Sequence, residues 1–343
     1  MTGAERIVAA VLGDPVDVTP VAPVLLMQGA RVLGVPLGRY FGEPGRIAEG
    51  QLALLDRFGH DAVFAMPHVV QDVLPWGAGI DLHDDGPPSV NGMVLSSYED
   101  IERVAVPDPT RHPYCRHTLR AAEALARRVK GQQLIVGAVI GPFSLPTMLM
   151  GTRKLLSLLL EPEPVRRRFL PTLLEKTTAY ASRWASAQLD AGCDLVVVAE
   201  GIASATILDE ATFLRDARPA LERFVARTPG LLALELVGHG LPFLPHLRDL
   251  GVAGFLIGES DRVDAARRAI GPGKALIGNV NNLKLLRFEP ERVEFEARRV
   301  IAAAGPGFVL SNQGPEIPWD VPDASIEALV RAARSSRPAR AAA

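Results

Sequence analysis

Short apolar runs alternate with longer amphipathic stretches along most of the chain. The runs Val21–Leu26, Ala62–Met66, Leu134–Val139, Leu195–Ala199, Leu231–Val237, Gly254–Ile257, Ala275–Gly278 and Phe308–Leu310 are rich in Val, Ile, Leu and Ala. Most are continuous rather than alternating, which is the pattern of parallel strands covered on both faces. Between them, helical spacing covers Ala4–Leu12, Arg46–Phe58, Arg116–Lys130, Val165–Ala191, Ala211–Ala226, Pro242–Leu250, Arg262–Ile270, Pro290–Ala304 and Ala324–Arg334. Thr2 and Glu5 have the spacing of a capping box for the first helix. Pro171 is a candidate break in the longest one. Eight strand–helix units predict a single (β/α)8 TIM barrel over residues 1–334, with Ser335–Ala343 as a flexible C-terminal tail. A doubly wound open sheet is the alternative, but no G-x-G-x-x-G follows the first strand. The Gly- and Pro-rich stretch Gly77–Asn91 reads as a hairpin or lid inserted after the second strand. Its His83, Asp84 and Asp85 read as a solvated turn before they read as a ligand cluster.

Composition narrows the function classes. The 37 Lys and Arg against 39 Asp and Glu leave a formal net charge of −2, without the electrostatic footprint of a dedicated nucleic-acid binder. Apolar residues make up 48% and charged residues 22%, as in a folded soluble domain. The two cysteines, Cys115 and Cys193, exclude a disulfide framework and a four-cysteine zinc site, and fit a cytoplasmic location. No apolar stretch reaches the roughly 20 residues of a membrane span, and Ile7–Leu12 is too short for a signal-peptide core.

In such a barrel the chemistry belongs at the C-terminal ends of the strands. Reading each end in turn gives Gln28 and Arg31, His68, Gly141–Ser144, Glu200, His239, Glu259, Asn279 with Asn281, and Asn312 with Gln313, Glu316 lying just beyond. His239 at the end of an apolar strand suits a metal ligand or a general acid or base. Glu200, after Leu-Val-Val-Val-Ala, needs a metal, Arg31 or a substrate amine as partner if it is buried. Arg31 suits a clamp for a substrate carboxylate, or else a structural pair with an aspartate. His68 is a weaker version of His239, and the amides Gln28, Asn279, Asn281, Asn312 and Gln313 suit substrate binding. Cys193 opens the fourth strand, far from that mouth, and reads as a small buried residue. Cys115, among Arg111, His112, Arg116 and His117, reads as part of a basic helix start. No P-loop, Gly-x-Ser-x-Gly or His-Glu-x-x-His motif occurs.

Gly278-Asn-Val-Asn-Asn-Leu-Lys-Leu-Leu286 and Phe308-Val-Leu-Ser-Asn-Gln-Gly-Pro-Glu-Ile-Pro318 are the most specific segments, supported by Phe58-Gly-His-Asp61, Trp76-Gly-Ala-Gly-Ile80, Gly141-Pro-Phe-Ser144 and Ala191-Gly-Cys-Asp194. With these the chain resembles, over nearly its whole length, the uroporphyrinogen decarboxylase superfamily, which also holds the methylcobamide:coenzyme M methyltransferases. The resemblance implies a single (β/α)8 barrel and a homodimer. It departs at the chemistry. The decarboxylases' Met-Arg-Gln-Ala-Gly-Arg-Tyr motif is similar to Leu26-Met-Gln-Gly-Ala-Arg-Val32, so only Arg31 remains. Their key aspartate falls on His68, their tyrosine on Met148 and their late histidine on Pro315, which argues against authentic uroporphyrinogen decarboxylation. Of the methyltransferases' His-x-Cys and late Cys zinc ligands, His239 alone is retained, with Pro315 at the last position. That excludes thiolate coordination and leaves a harder site on His239 with Glu200, Glu259 or Glu316, for zinc or another divalent metal.

Three functions follow. The first is a methyl- or one-carbon transferase of the corrinoid-linked type on a small-molecule substrate, with the corrinoid on a separate partner protein. The second is a cofactor-independent decarboxylase or other lyase on a small carboxylate, using Arg31 with His68 or His239. The third is a non-catalytic binding barrel.

Overall fold

The computed structural model describes residues 1–43, 45–314 and 316–336. Seven parallel strands form one curled sheet: β1 (Ala62–Phe64), β4 (Leu134–Ile140), β5 (Leu195–Glu200), β6 (Leu232–Leu236), β7 (Gly254–Leu256), β8 (Ala275–Val280) and β9 (Phe308–Asn312), each paired with the next. The expected hairpin is present as β2 (Gly79–Asp81) and β3 (Ser89–Asn91), antiparallel with Ile80 opposite Val90. The strands are buried along nearly their whole length because helices cover the outer face and side chains fill the inside.

The eighth expected strand, Val21–Leu26, forms no ladder. Pro20 and Pro23 carry no N–H to donate, which confines this segment to sparse pairing. It still closes the ring. Val21 bridges Leu310, the Ala22 N–H donates to the Leu310 carbonyl at 2.8 Å, and the Asp61 N–H donates to the Val21 carbonyl at 2.8 Å. Where ladder bonds are missing, a side chain supplies them. Gln51, buried on the helix Arg46–Phe58, donates from Nε2 to the Leu25 carbonyl at 2.6 Å and accepts from the Phe64 N–H at 2.9 Å. Below the ring, buried Asp61 accepts from Arg6 at 2.6 Å and from Arg334 at 2.8 and 2.9 Å. It thereby ties the helices Gly3–Leu12 and Asp323–Arg334 to β1.

The helices follow the apolar periodicity with three differences. Thr2 and Glu5 form the capping box. The longest helix, Glu163–Asp190, runs unbroken through Pro171, which removes only one backbone donor from 28 residues. The expected helix Pro242–Leu250 shrinks to Leu244–Leu247. The expected Ala211–Ala226 contains a π-type turn, Phe213–Ala217, just before Pro219, whose missing N–H interrupts the α pairing. Ser335 and Ser336 follow the end of the last helix, their N–H groups donating to the Arg331 and Ala333 carbonyls, and the remainder of the expected tail lies outside the described residues. Among the described residues no helix is long and apolar enough to cross a membrane.

Candidate active site at the barrel mouth

The strand ends converge on one mouth, and the end of β6 provides a half-exposed histidine there. Gly238, at φ 86°, turns the chain out of β6 and presents His239. The His239 Nδ1 lies 2.6 Å from Oδ1 of Asp261, a carboxylate buried behind it in the loop after β7. The Gly240 N–H donates to the other oxygen of Asp261 at 2.9 Å. Asn279, on β8, donates from Nδ2 to the carbonyls of Gly258 at 2.8 Å and Asp261 at 3.1 Å, fixing the loop that carries the aspartate. A carboxylate on Nδ1 holds the proton on that nitrogen and the lone pair on Nε2. Nε2 has no hydrogen-bond partner among the described residues, and 36% of the side chain is exposed. This is the geometry of an oriented general base.

Two buried carboxyls, Glu200 and Glu235, and the half-buried Glu316 lie on the neighbouring strands and the loop after β9. Glu200, ending β5, accepts from the Phe143 N–H at 3.1 Å and from the Ser144 hydroxyl at 2.5 Å, and burial pushes it up to about 7. Gly141 is required beside it, since a Cβ there would fall 2.2 Å from Glu200 Oε1. Glu235, inside β6, is pushed up to about 7 by burial and by the nearby Glu316. Glu316 is itself pushed up to about 7 by burial.

The remaining sequence-derived candidates build the rim. Arg31 donates to the carbonyls of Trp319 at 2.7 Å and Val321 at 3.0 Å and pairs with Asp323 at 2.5 Å. Its guanidinium is therefore engaged by the loop before the last helix, as in the alternative reading of Arg31 as a structural pair with an aspartate. Gln28 donates to the carbonyls of Ile317 and Pro318, both at 2.9 Å. Asn312 accepts from the Val24 N–H at 2.8 Å, and Gln313 accepts from the Glu259 N–H at 2.6 Å. Asn281 donates to Glu259 at 2.6 Å, and Lys284 pairs with the same carboxylate. His68 meets the Tyr114 hydroxyl at 2.9 Å and the edge of Phe41, and burial lowers it to about 3, so it is neutral.

The metal set expected from sequence does not assemble. His239 is bound to Asp261, Glu200 to Ser144 and Phe143, and Glu259 to Lys284 and Asn281. Among the described residues no three His, Cys, Asp or Glu side chains are placed to share one ion. The residues present do not fit a three-ligand zinc site. Pro315 lies outside the described residues. Both cysteines are buried, with Cys193 pushed up to about 12 and Cys115 also raised by burial, so neither is an activated thiol. In the hairpin, His83 meets the Ser89 hydroxyl at 3.0 Å and its two aspartates are exposed.

The sequence reading missed Asp261, Glu235 and Tyr114, and named Ser144 only as part of the Gly141–Ser144 strand end. Asp261 had a signal, as an acid in the Gly258-Glu-Ser-Asp261 strand end, but the neighbouring Glu259 drew the assignment. Glu235 also had one, as the lone acid within Leu231–Val237.

Comparison with known proteins agrees with this architecture. The chain is similar to the methylcobamide:CoM methyltransferase MtaA of Methanosarcina barkeri, 25% identical over 95% of this chain and 96% of that protein. It is similar to the uroporphyrinogen decarboxylase of Pseudoalteromonas atlantica, 25% identical over 96% and 95% of the two chains. The solved structure of a methyltransferase from Methanosarcina mazei superimposes with a TM-score of 0.88 at 25% identity, covering 97% of this chain and 98% of that one. The family model described as uroporphyrinogen decarboxylase (URO-D) matches residues 2–336, and the chain belongs to that family.

Proposed function

We propose that this chain is a methyl- or one-carbon transferase in which His239, oriented by Asp261, is the general base. The observation that carries the reading is the buried carboxylate 2.6 Å from Nδ1, which leaves Nε2 free at the mouth. In this scheme Nε2 takes the proton from a small acceptor, a thiol or an amine. The acceptor's lone pair then forms a bond to the methyl carbon while the donor keeps the electron pair of the bond that breaks. Likeness to MtaA and to the M. mazei methyltransferase supports a methylated corrinoid, brought by a separate protein, as donor. No step is routed through a metal, because the candidate ligands are committed elsewhere. The lyase reading loses its main support with the engagement of Arg31.

Anaerobic mixing of the protein with methylcob(III)alamin and a panel of thiols and amines, followed by absorbance of cob(I)alamin, tests this directly. Wild-type protein is expected to transfer the methyl group, and His239→Ala to slow transfer by about 10²- to 10⁴-fold. Asp261→Asn should slow it less while leaving the fold intact. Release of CO₂ from small carboxylates without methyl transfer would replace this reading with a lyase. Stoichiometric zinc that disappears in His239→Ala would replace it with metal-centred chemistry.

A further inference from the structure

The strand β6 reads Leu232-Ala-Leu-Glu-Leu236, and its alternation turns Ala233 and Glu235 into the barrel. At the level of Glu235 the inward positions of neighbouring strands are apolar: Ala199 on β5, Leu256 on β7 and Ile277 on β8. A carboxyl in this setting is costly unless something satisfies it. Yet Glu235, only 6% exposed, accepts no hydrogen bond and makes no ion pair among the described residues. It lines a cavity of about 70 Å³ whose walls are otherwise almost entirely aliphatic. The one hydroxyl among the described lining residues, that of Ser311, is committed to the Ala22 carbonyl at 2.7 Å. Glu316, in the loop after β9, has its carbonyl held by Asn282 at 2.8 Å, and its charge raises Glu235 further.

One carboxyl in a small apolar chamber, with no ion pair among the described residues and a second carboxyl near enough to act on it, forms a receptor of definite chemistry. A divalent metal would need more ligands than these provide. A neutral ligand would supply no counter-charge to the ionised form of Glu235. A cation with a short alkyl body answers both the carboxyls and the walls. We propose that Glu235, with Glu316, binds a small alkylammonium ion whose hydrocarbon part enters the barrel interior. Burial raises both carboxyls, as expected for a pair awaiting a counter-ion. This rests on the methyl-transfer reading in one respect, that the bound amine is then the acceptor. In that reading R–NH₃⁺ gives one proton to Nε2 of His239. The resulting R–NH₂ forms the new N–CH₃ bond, and the donor leaves with the electron pair.

The test is calorimetric and needs no turnover, so it stands or falls separately from the transfer assay. Methylammonium, ethylammonium and n-propylammonium chlorides are titrated against methanol, ethanol and n-propanol as neutral counterparts. Saturable one-to-one binding of the ammonium ions is expected, tightening with chain length, with at least about tenfold weakening in Glu235→Gln and a smaller weakening in Glu316→Gln. Thermal melts of both variants establish that they are folded. The proposal is overturned if no ammonium ion binds, if Glu235→Gln binds as tightly as wild type, or if the alcohols bind equally well. Glu235-dependent binding of Mg²⁺ or Zn²⁺ in place of the ammonium ions overturns it too.

Discussion

Glu200 and Glu235 sit on adjacent strands, one register step apart, with Ala199 opposite Glu235 and Glu200 opposite Leu236. Both are buried, and burial pushes both up to about 7. Their surroundings are opposite. Glu200 turns to the loop after β4, where a backbone N–H and a hydroxyl reach it and Gly141 leaves room for it. Glu235 turns into the barrel, where the described lining is almost entirely apolar and offers it no hydrogen bond. One residue of strand alternation separates a carboxyl used to build the fold from one left available to a ligand. Burial and a shifted pKa do not tell the two apart; the partner set does.

The largest expected effect tests the structural member of the pair. Glu200→Ala removes the acceptor of the Phe143 N–H and of the Ser144 hydroxyl in a closed site, and should destabilise the protein by about 2–4 kcal/mol at pH 6. Glu235→Ala strands no donor and should change stability by about 1 kcal/mol or less at the same pH. Chemical denaturation of both variants provides the comparison. Equal losses would mean that the hydrogen-bond partners are not what separates the two residues.

A medium effect probes the open member through pH. The ordinary carboxyl of Glu is near 4.5 and folding raises Glu235 to about 7. Between those values the folded state holds a proton that the unfolded state has lost, so stability from this group falls as pH rises from about 4.5 to about 7 and is flat above. Glu235→Gln removes that loss. The variant should be more stable than wild type by about 1–3 kcal/mol at pH 8, and the two should draw together near pH 5. A pH-independent difference would show that Glu235 does not titrate in the folded protein in this range.

The same contrast explains what could be read from the sequence. The strands were legible because a doubly covered sheet demands continuous Val, Ile and Leu, and β4, β5, β8 and β9 fall where the runs do. The first run failed as a strand because apolar character says nothing about the N–H groups missing at Pro20 and Pro23. Its closure by Gln51 depends on a helix residue reaching across to backbone, a distance no local pattern encodes. At the site, His239 was legible as a polar residue ending an apolar run. Asp261 was not singled out, because choosing between it and Glu259 requires knowing which way the loop turns. Arg31 was placed at the right rim, but its hydrogen bonds to Trp319 and Val321 carbonyls depend on a loop nearly the whole chain away.

The smallest effect examines how Glu200 is held. Ser144 donates to its carboxylate at 2.5 Å and accepts from the Ile202 N–H at 3.1 Å, so one hydroxyl serves both the carboxyl and the turn after β5. The bond to the carboxyl favours its ionised form and opposes the rise that burial imposes. Ser144→Ala should raise Glu200 further and destabilise the protein by about 1 kcal/mol near pH 5, with a larger loss at pH 8 where the carboxylate is left with fewer donors. Stability measured at both pH values separates the two duties of the hydroxyl. A loss that grows with pH assigns its main role to the carboxylate, and the same loss at both assigns it to the Ile202 turn. The second result would weaken the contrast from which the open state of Glu235 is argued.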